Sequence, residues 1–549
     1  MPLQKNQLLT LRIERLSSDG SGVAHSPEGE AVFVPGTAPG DEAQVRIVKD
    51  CGRYAFGILD KLLTPSPDRI PVDCAVAGPC GGCSLRHMDY AAELRSKQES
   101  VADALRRIGG LDVPVLDALP SPEVDRYRNK VQFPVGLDKN GNPCIGFYAG
   151  RTHRIVPCPD CKLQPGVLND IGNALCRFFA ENGIQPYNEE TGRGLVRHIF
   201  LRRGAHSGQI MVCLVCTRPN FPHADALCTR LREQFADIAT ILLNVNSKNT
   251  NVILGTETHT LYGPGYIEDT LCGVPVQLGP LSFYQVNTLA AERLYGIAAQ
   301  YAQLTPDDLL LDLYCGMGTI GLSMVDHCRE LVGVEIVPEA IESAKANAAR
   351  MGDAVAAKSC FFCADAGQAA TRLAAEGLHP DVVMLDPPRK GCDEATLSAV
   401  VRMAPRRVVY VSCNPATAAR DAAWLENNGY HAEKVQPVDL FPRTKHCECV
   451  IALSKGEIDS KKVRVEFSLE GLDTSGLQKG ATYPEIKARV LEQTGLRVSS
   501  LYISQVKQKC GLEVRENHHK AKSENTKQPQ CPPEKEAAIR DALKYFKMI

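Results

Sequence analysis

The chain has 549 residues, of which 44% are hydrophobic and 23% are charged, and its 62 lysines and arginines nearly balance its 64 aspartates and glutamates, for a net charge of −2. This length predicts three or four domains and excludes a peptide, a small disulfide scaffold or a lone recognition module. The composition excludes bulk disorder, and the balanced charge does not by itself indicate a nucleic-acid partner.

Residues 1–10 lack the apolar core of a signal peptide, and no run of 18 apolar residues predicts a membrane span. We therefore expect a cytoplasmic protein with no membrane partner. The chain nevertheless holds 22 cysteines. In a reducing compartment these residues are metal ligands, nucleophiles or small buried side chains more often than disulfides.

Residues 1–62 predict a small barrel, because short apolar strands alternate with glycine and proline turns. The predicted strands are 8–13, 31–34, 43–48 and 54–59. The order of these motifs resembles a TRAM domain, an OB-like β-barrel found on RNA-modifying enzymes.

Residues 63–275 predict a central α+β domain. A segment rich in proline, glycine and cysteine (63–90) precedes a helix with apolar periodicity (91–108), and strands and hairpins follow, with Asn140-Gly141 as a turn signal.

Residues 276–455 predict a Rossmann-like, doubly wound α/β domain, because apolar strands alternate with helices. The predicted strands are 309–314, 330–335, 381–386, 407–413 and 449–453.

Residues 456–549 form a C-terminal extension with 17 basic and 13 acidic residues. Helices are predicted at 484–493, 500–509 and 533–546. The first two helices are compatible with a helix-turn-helix, although a generic helical hairpin is favoured. The sequence assigns no role to this extension.

A strand that enters the pattern Gly316-x-Gly318-x-x-Gly321 predicts a nucleotide-cofactor site, because glycines allow close approach of a ligand to the backbone. The acidic Glu335 ends the next strand and is suited to accept from a ribose hydroxyl. A dinucleotide and S-adenosylmethionine (SAM) both fit this pattern. The later Asp386-Pro-Pro element favours SAM.

Two further strand ends carry reactive side chains. Cys413, in Ser-Cys-Asn-Pro, is placed for nucleophilic catalysis. Glu448 is a candidate general base, with His446 orienting it or the substrate. Arg389 follows the Asp-Pro-Pro element where amino-group methyltransferases carry a stacking aromatic residue, which disfavours methylation of an exocyclic amine.

Together these motifs resemble the RNA uracil-5-methyltransferase family over residues 1–455. The resemblance implies that Cys413 is the nucleophile, that Glu448 is the base, and that an RNA uridine is methylated at carbon 5. It also implies a SAM site formed by Gln285, Tyr314, Thr319, Glu335, Asp365 and Asp386.

The spacing Cys74-x5-Cys80-x2-Cys83, with further cysteines downstream, suits a [4Fe–4S] cluster better than zinc, since zinc ribbons use two Cys-x2-Cys pairs. The resemblance implies Cys161 as the fourth ligand, with Cys158 as a competitor. We expect a structural role for the cluster, because methyl transfer from SAM needs no electron.

Two cation-rich segments, 126–130 and 192–208, are candidate RNA contacts. The barrel and the cysteines together resemble the 23S rRNA branch of the family. We therefore expect a monomeric 23S rRNA (uracil-C5)-methyltransferase. The alternatives are a tRNA uracil-5-methyltransferase, a radical-SAM or redox RNA-modifying enzyme, and a non-catalytic RNA-binding protein.

Overall fold

Short strands with alternating buried and exposed side chains build the N-terminal sheet. Along its longest antiparallel pair, Ala43, Val45 and Ile47 point inward. The strand order is β1-β5-β6-β4-β3-β2, and only β4 and β6 pair in parallel. The strands are β1 Leu8–Arg12, β2 Arg15–Leu16, β3 Gly22–His25, β4 Ala31–Val34, β5 Glu42–Asp50 and β6 Tyr54–Thr64.

The coordinates are a computed structural model that describes residues 3–150, 152–248, 250–456, 483–494, 496, 498–510, 531–546 and 548. The chain divides into two compact units, Met1–Asp459 and Ser460–Ile549. The finer domain boundaries at residues 62, 275 and 455 stay predictions. Among the described helices, none is both long and apolar enough to cross a bilayer.

A second, seven-stranded sheet follows, in the order β13-β12-β11-β10-β7-β8-β9. Its central strands β10 and β11 are almost wholly buried. The strands are β7 Lys130–Leu137, β8 Pro143–Tyr148, β9 Ile155–Pro157, β10 Val196–Arg203, β11 Ile210–Cys216, β12 Ile238–Val245 and β13 Glu257–Tyr262. The helices are α1 Ala77–Cys80, α2 Tyr90–Ala104, which continues as a π-turn at Leu105–Gly109, α3 Gly166–Glu181 and α4 Ala224–Gln234. A hairpin of β14 Ile267–Leu271 and β15 Val274–Leu278 leads out of this region.

The third sheet has the order β18-β17-β16-β19-β20-β22-β21, with β22 antiparallel to both of its neighbours. Its strands are β16 Leu309–Leu313, β17 Glu330–Glu335, β18 Ser359–Cys363, β19 Val382–Leu385, β20 Arg407–Ser412, β21 Tyr430–Val438 and β22 Glu448–Lys455. Its helices are α5 Thr288–Ala302, α6 Thr319–Ser323, a 3-10 turn at Val325–His327, α7 Pro338–Arg350, α8 Asp353–Ala357, α9 Ala366–Ala375, α10 Glu394–Met403 and α11 Pro415–Glu426.

The strand order reverses at β16, which pairs in parallel with both β17 and β19. Ligands of such sheets bind beyond the carboxyl ends of the strands at this switch point. The predicted doubly wound fold is therefore confirmed. The sequence patterns did not predict two of the strands, β18 and β21, because β18 is largely exposed and β21 contains a proline.

A hydrophobic core is shared by the second and third sheets. Phe200 and Met211 from the second sheet and Leu310 and Val409 from the third belong to one cluster of buried side chains. The common core holds the two sheets in one unit and thereby brings residues far apart in sequence to the same edge.

The C-terminal unit has a core of its own. Its helices are α12 Tyr483–Thr494, α13 Ser500–Lys509 and α14 Pro533–Tyr545, close to their predicted positions. Ile486, Ile503 and Leu543 are among the buried side chains that they share.

Candidate active site and cysteine cavity

The loop between β16 and α6 has the backbone that its sequence predicts. Tyr314, Gly316 and Gly318 all have positive φ, at 66°, 56° and 78°. Only glycine adopts this region without cost, so Tyr314 is held there by its surroundings. Asp312, the residue before Leu313, accepts a hydrogen bond from the Gly321 amide at 3.0 Å and so closes the loop onto the helix.

Glu335 lies directly beside this loop. Its carboxylate accepts hydrogen bonds from the amides of Gly316 (3.2 Å), Ile336 (2.8 Å) and Val337 (3.0 Å). The backbone amide of Ala364, the residue before Asp365, donates a hydrogen bond to the Glu335 carbonyl at 2.9 Å. The two predicted acidic positions therefore lie on neighbouring strand ends.

Thr319 and Gln285 meet at a buried tyrosine that sequence reasoning missed. The hydroxyl of Tyr295 lies 3.3 Å from the Thr319 hydroxyl and within hydrogen-bond reach of the Gln285 side chain. The backbone carbonyl of Gln285 accepts from the Asn129 side chain at 2.7 Å. The helical periodicity of α5 indicates only that Tyr295 is buried, and a buried position is equally typical of a core residue.

Enclosed carboxylates line the same edge. Burial raises the pKa of Asp386 to about 7. Burial, and then the charge of Asp386, raises the pKa of Asp312 to about 8. One oxygen of Asp312 has no hydrogen-bond partner among the described residues. Desolvated carboxylates of this kind favour a cationic ligand, which stabilises their charged form.

Cys413 follows β20 and faces these carboxylates. Burial, and then the charge of Glu448, raises the pKa of its thiol, whereas the guanidinium of Arg389 acts in the opposite direction through charge and a hydrogen bond. The next residue, Asn414, caps α11 and donates from its side chain to the Arg389 carbonyl at 2.9 Å. The cap thus positions both Cys413 and Arg389.

Glu448 begins β22, which pairs antiparallel with β20 so that Ser412 lies opposite Cys449. This register places Glu448 beside Cys413. Burial, and then the charge of Asp386, raises the pKa of Glu448 to about 8, and Arg389 opposes that rise. A nucleophile and a carboxyl group able to bind or release a proton near neutral pH therefore share one pocket edge.

Comparison with known proteins identifies the family. Residues 277–456 match the family model described as tRNA (Uracil-5-)-methyltransferase, and residues 2–59 match the TRAM domain. A protein of Halalkalibacterium halodurans named as an RNA methyltransferase is 42% identical over 453 residues, which are 82% of this chain and 98% of that protein. The chain belongs to the RNA uracil-5-methyltransferase family.

Other similar proteins support the same family. An RNA methyltransferase of Bacillus cereus is 41% identical over 83% of this chain and 98% of its own length. The crystal structure of the tRNA (uracil-54, C5)-methyltransferase of Pyrococcus abyssi, in complex with S-adenosyl-L-homocysteine, is similar with a TM-score of 0.64 and 27% identity. It covers 81% of this chain and all of that one.

In this methyltransferase the loop between β21 and β22, residues 439–447, is anchored by buried charges. Lys97 of α2 donates to Asp439 and to Glu93, both at 2.7 Å. The Glu93 carboxylate also accepts from the backbone amide of Arg443 at 2.7 Å. Sequence reasoning missed this network, because charged residues on a helix usually face solvent.

His446 lies in the same loop and is half-buried. Burial, followed by the charges of Arg389, Lys445, Lys97 and Arg128, lowers the pKa of its imidazole. The imidazole is therefore neutral near pH 7 and is available as a hydrogen-bonding group rather than as a cation.

The predicted cluster ligands Cys74, Cys80, Cys83 and Cys161 all line one cavity of about 290 Å³. Cys158 lines it too, and its thiol is hydrogen-bonded to Cys161. Burial raises the pKa of Cys83 to about 12, and the charges of the other three predicted ligands add to the rise.

Among the described residues, no group of three metal-binding side chains is close enough to hold a single metal ion. The four predicted ligands are nonetheless thiols that line one cavity, and cysteine thiolates are the ligands of iron–sulfur clusters. The donor type is the one that the predicted [4Fe–4S] group needs, and the cluster itself stays a prediction.

The RNA prediction is wrong for two of its cations and one aromatic residue. Tyr127 is buried, and Arg202 is only 1% exposed, with its guanidinium donating to the carbonyls of Gly279 and Ser282. Arg197 is also enclosed and donates to the carbonyl of Asn246. These side chains make internal hydrogen bonds, and burial leaves them unavailable to phosphates.

Proposed function

We propose that this protein transfers a methyl group from SAM to carbon 5 of a uridine in RNA. The observation that carries the proposal is the register of β20 and β22, which sets Glu448 beside Cys413 at the switch-point edge of the sheet. A nucleophile, a base and a methyl-donor site are the three elements that this reaction needs.

The residues around the glycine loop fit SAM, which supplies an electrophilic methyl group on a positively charged sulfonium. We assign the binding site to Gln285, Tyr314, Thr319, Glu335, Asp365 and Asp386. Glu335 keeps free lone pairs for ribose hydroxyls, because its three amide donors occupy only part of its acceptor capacity. The desolvated Asp386 and Asp312 would gain a cation to compensate their charge.

Cys413 is the proposed nucleophile. Its thiolate forms a bond to carbon 6 of uracil, and the electron pair of the 5,6 double bond moves into the ring carbonyl to give an enolate. Carbon 5 of this enolate then takes the methyl group. Arg389, which hydrogen-bonds the sulfur, stabilises the thiolate before the attack.

Glu448 is the proposed general base. It takes the proton from carbon 5 of the methylated adduct, the double bond re-forms, and the thiolate of Cys413 leaves carbon 6. A carboxylate with a pKa raised to about 8 is a stronger base than an ordinary one and is suited to removing a carbon-bound proton.

The target base must leave its stack to reach an edge formed by strand ends. Extrusion costs a few kcal/mol and is easiest in an RNA loop. Of the 126–130 segment, the side chains of Arg128 and Lys130 make no hydrogen bond or ion pair within the described part of the chain. Arg128, which lies close to His446, is therefore the proposed phosphate or base contact.

We assign a [4Fe–4S] cluster to Cys74, Cys80, Cys83 and Cys161. The cavity that all four line supports this assignment, and Cys158 remains the competitor for the fourth position. The proposed role is structural. Leu85, two residues after Cys83, donates from its amide to the carbonyl of Arg443 at 3.0 Å, so the cysteine segment supports the loop that leads to Glu448.

We propose 23S rRNA as the substrate, on the combination of an N-terminal barrel with the cysteine segment. A tRNA is the second candidate. It is favoured by the similarity to the Pyrococcus abyssi enzyme, which acts on tRNA and covers 81% of this chain, well beyond the catalytic sheet.

The test is methyl transfer from labelled SAM to unmodified 23S rRNA and to unmodified tRNA. Wild type is compared with Cys413→Ala and with Cys363→Ala, whose cysteine is exposed on the edge strand β18. We expect 5-methyluridine in 23S rRNA with wild type and Cys363→Ala, and none with Cys413→Ala. Label in tRNA alone would keep the mechanism and change the substrate.

A covalent trap separates the remaining classes. RNA with 5-fluorouridine at the target carries no removable proton on carbon 5, so the adduct with Cys413 should accumulate in wild type. Label transfer retained by Cys413→Ala would contradict the covalent mechanism and return attention to amine methylation. Absence of both adduct and label would support a non-catalytic RNA-binding protein.

A further inference from the structure

Lys130, at the start of β7, lines the cysteine cavity together with the four proposed cluster ligands. Gln132, two residues further along the same strand, lines it as well. Because side chains two apart in a strand share a face, this face of β7 forms one wall of the cavity.

The charge of Lys130 is not compensated inside the protein. Among the described residues, its ammonium makes no hydrogen bond or ion pair. Directly opposite it on β10 lies Arg202, another cation. Like charges facing each other across a ladder are destabilising, and a half-buried cation without an anion adds to that cost.

The other cations of the cavity wall differ in this respect. Lys162 is paired with Asp160 at 2.6 Å. Arg86 is paired with Asp73 at 2.6 Å and with Asp125 at 2.8 Å. The wall therefore holds two cations that are paired with carboxylates, Arg86 and Lys162, and two that are not paired with a carboxylate among the described residues, Lys130 and Arg128.

An anion in the cavity resolves this imbalance. Cysteines bind metal in the deprotonated form, so four cluster ligands enter the site as thiolates. Four thiolates bring more negative charge than an iron–sulfur core brings positive charge, so the bound cluster is an anion. The position of Lys130 beside all four cysteines matches such a group.

We propose that Lys130 is a positioning residue for the cluster, supplying the positive charge that retains it and raises its reduction potential. The proposal rests on the cluster proposed above. A cation near the cluster favours the reduced, more negative form, and removal of the cation therefore lowers the potential. Loss of a partner outside the ligand set typically weakens metal retention about tenfold or more.

The experiment uses the full chain, purified without oxygen, as wild type, Lys130→Met, Lys130→Arg and Lys162→Met. Methionine preserves the length of the side chain, and Lys162→Met removes a cation from the same wall whose charge is already paired. Iron and sulfide per chain, the rate of iron loss to a chelator and the reduction potential are measured, with circular dichroism as the check on folding.

We expect Lys130→Met to lose iron about tenfold faster than wild type and to have a more negative potential, with Lys130→Arg restoring both. Lys162→Met should behave as wild type. Equal iron retention and equal potential in Lys130→Met and wild type would overturn the proposal.

Two further outcomes would also overturn it. In the first, Lys130→Met retains iron normally but binds RNA more weakly, and the salt dependence of its RNA affinity falls by about one phosphate contact. This result would assign Lys130 to RNA binding instead. A wild-type chain that holds zinc or no metal would remove the premise. In that last case methyl transfer to RNA by the same preparation would leave the proposed function standing.

Discussion

The hydroxyl of Tyr127 donates a hydrogen bond to the carbonyl oxygen of Pro442 at 3.1 Å. Tyr127 lies between Arg126, whose guanidinium donates to the carbonyl of Cys161, and Arg128, whose amide donates to that of Leu163. Pro442 belongs to the loop that leads to Glu448. One buried side chain thus joins the cysteine cavity to the loop that carries the proposed base.

Tyr127→Phe should lower kcat several-fold at a cost of about 1 kcal/mol in folding free energy, because it removes one hydrogen bond and frees the loop before Glu448. Tyr430→Phe is the matched control. Its hydroxyl is also buried and donates to a proline carbonyl, that of Pro405, at 2.9 Å, at the opposite end of the sheet. Equal losses of activity in the two variants would show that Tyr127 contributes stability only.

The pH dependence should report Glu448. Its pKa is raised to about 8 and its carboxylate is the active form. We therefore expect kcat/KM to rise with pH through about pH 8, where Glu448 loses its proton, and the raised pKa of the Cys413 thiol should extend the rise to higher pH.

Glu448→Gln should remove the part of this dependence near pH 8 and slow product formation by about a hundredfold or more, while covalent adduct accumulates on unmodified RNA. Initial rates are measured from about pH 6 to about pH 9. The covalent adduct is measured by gel electrophoresis. A variant with the wild-type profile and no adduct would exclude Glu448 as the base.

Gly391 is required in the loop that carries Arg389. Its φ is +77°, and a Cβ there would lie 2.5 Å from both Nη2 of Arg420 and an oxygen of Asp421. Gly377 also has positive φ, at +84°, but nothing lies within 4 Å of an added Cβ. Both alanine variants incur the backbone cost of about 1–2 kcal/mol, and only Gly391→Ala displaces Arg389.

Gly391→Ala should therefore reduce kcat/KM about tenfold or more, since small displacements of positioning groups have large effects on rate. Gly377→Ala should lose stability with little change in rate. Thermal unfolding and steady-state kinetics of both variants test this, and parallel behaviour in the two assays would refute the packing argument.

Asp386→Asn should stabilise the ligand-free protein and weaken SAM binding. The folded-state pKa of about 7 lies above the ordinary value, so the folded state loses stability as pH rises from about 4 through about 7. The gain in Tm of the variant over wild type should therefore be larger at pH 8 than at pH 5, and calorimetric scans at both values measure it.

Asp386→Asn should weaken ligand binding although it stabilises the ligand-free protein. Titration calorimetry should show a larger loss of affinity for SAM, which carries a sulfonium, than for S-adenosylhomocysteine, which does not. Equal losses for the two ligands would mean that Asp386 does not face the sulfonium.

The local patterns alone predicted five of the seven strands of the third sheet and its reactive strand ends. Parallel buried strands are continuous apolar runs, and the glycine, proline and cysteine motifs that follow them mark turns whose backbone only certain residues adopt. For this reason β16, β17, β19 and β20 were predicted nearly to the residue, as were helices of the C-terminal unit. Resemblance to a known family implied a nucleophile role for Cys413 and a base role for Glu448, for which the local patterns offered only candidates.

Only the tertiary structure decided which charged residues face the site and which are buried elsewhere. Lys97, Glu93 and Asp439 look like surface residues in sequence but form an enclosed network at the loop before Glu448. Arg202 and Tyr127 look like RNA contacts but point inward. The physical reason is that burial and pKa depend on partners distant in the chain. Side chains separated by more than 300 positions meet here, and sequence periodicity carries no information about such contacts.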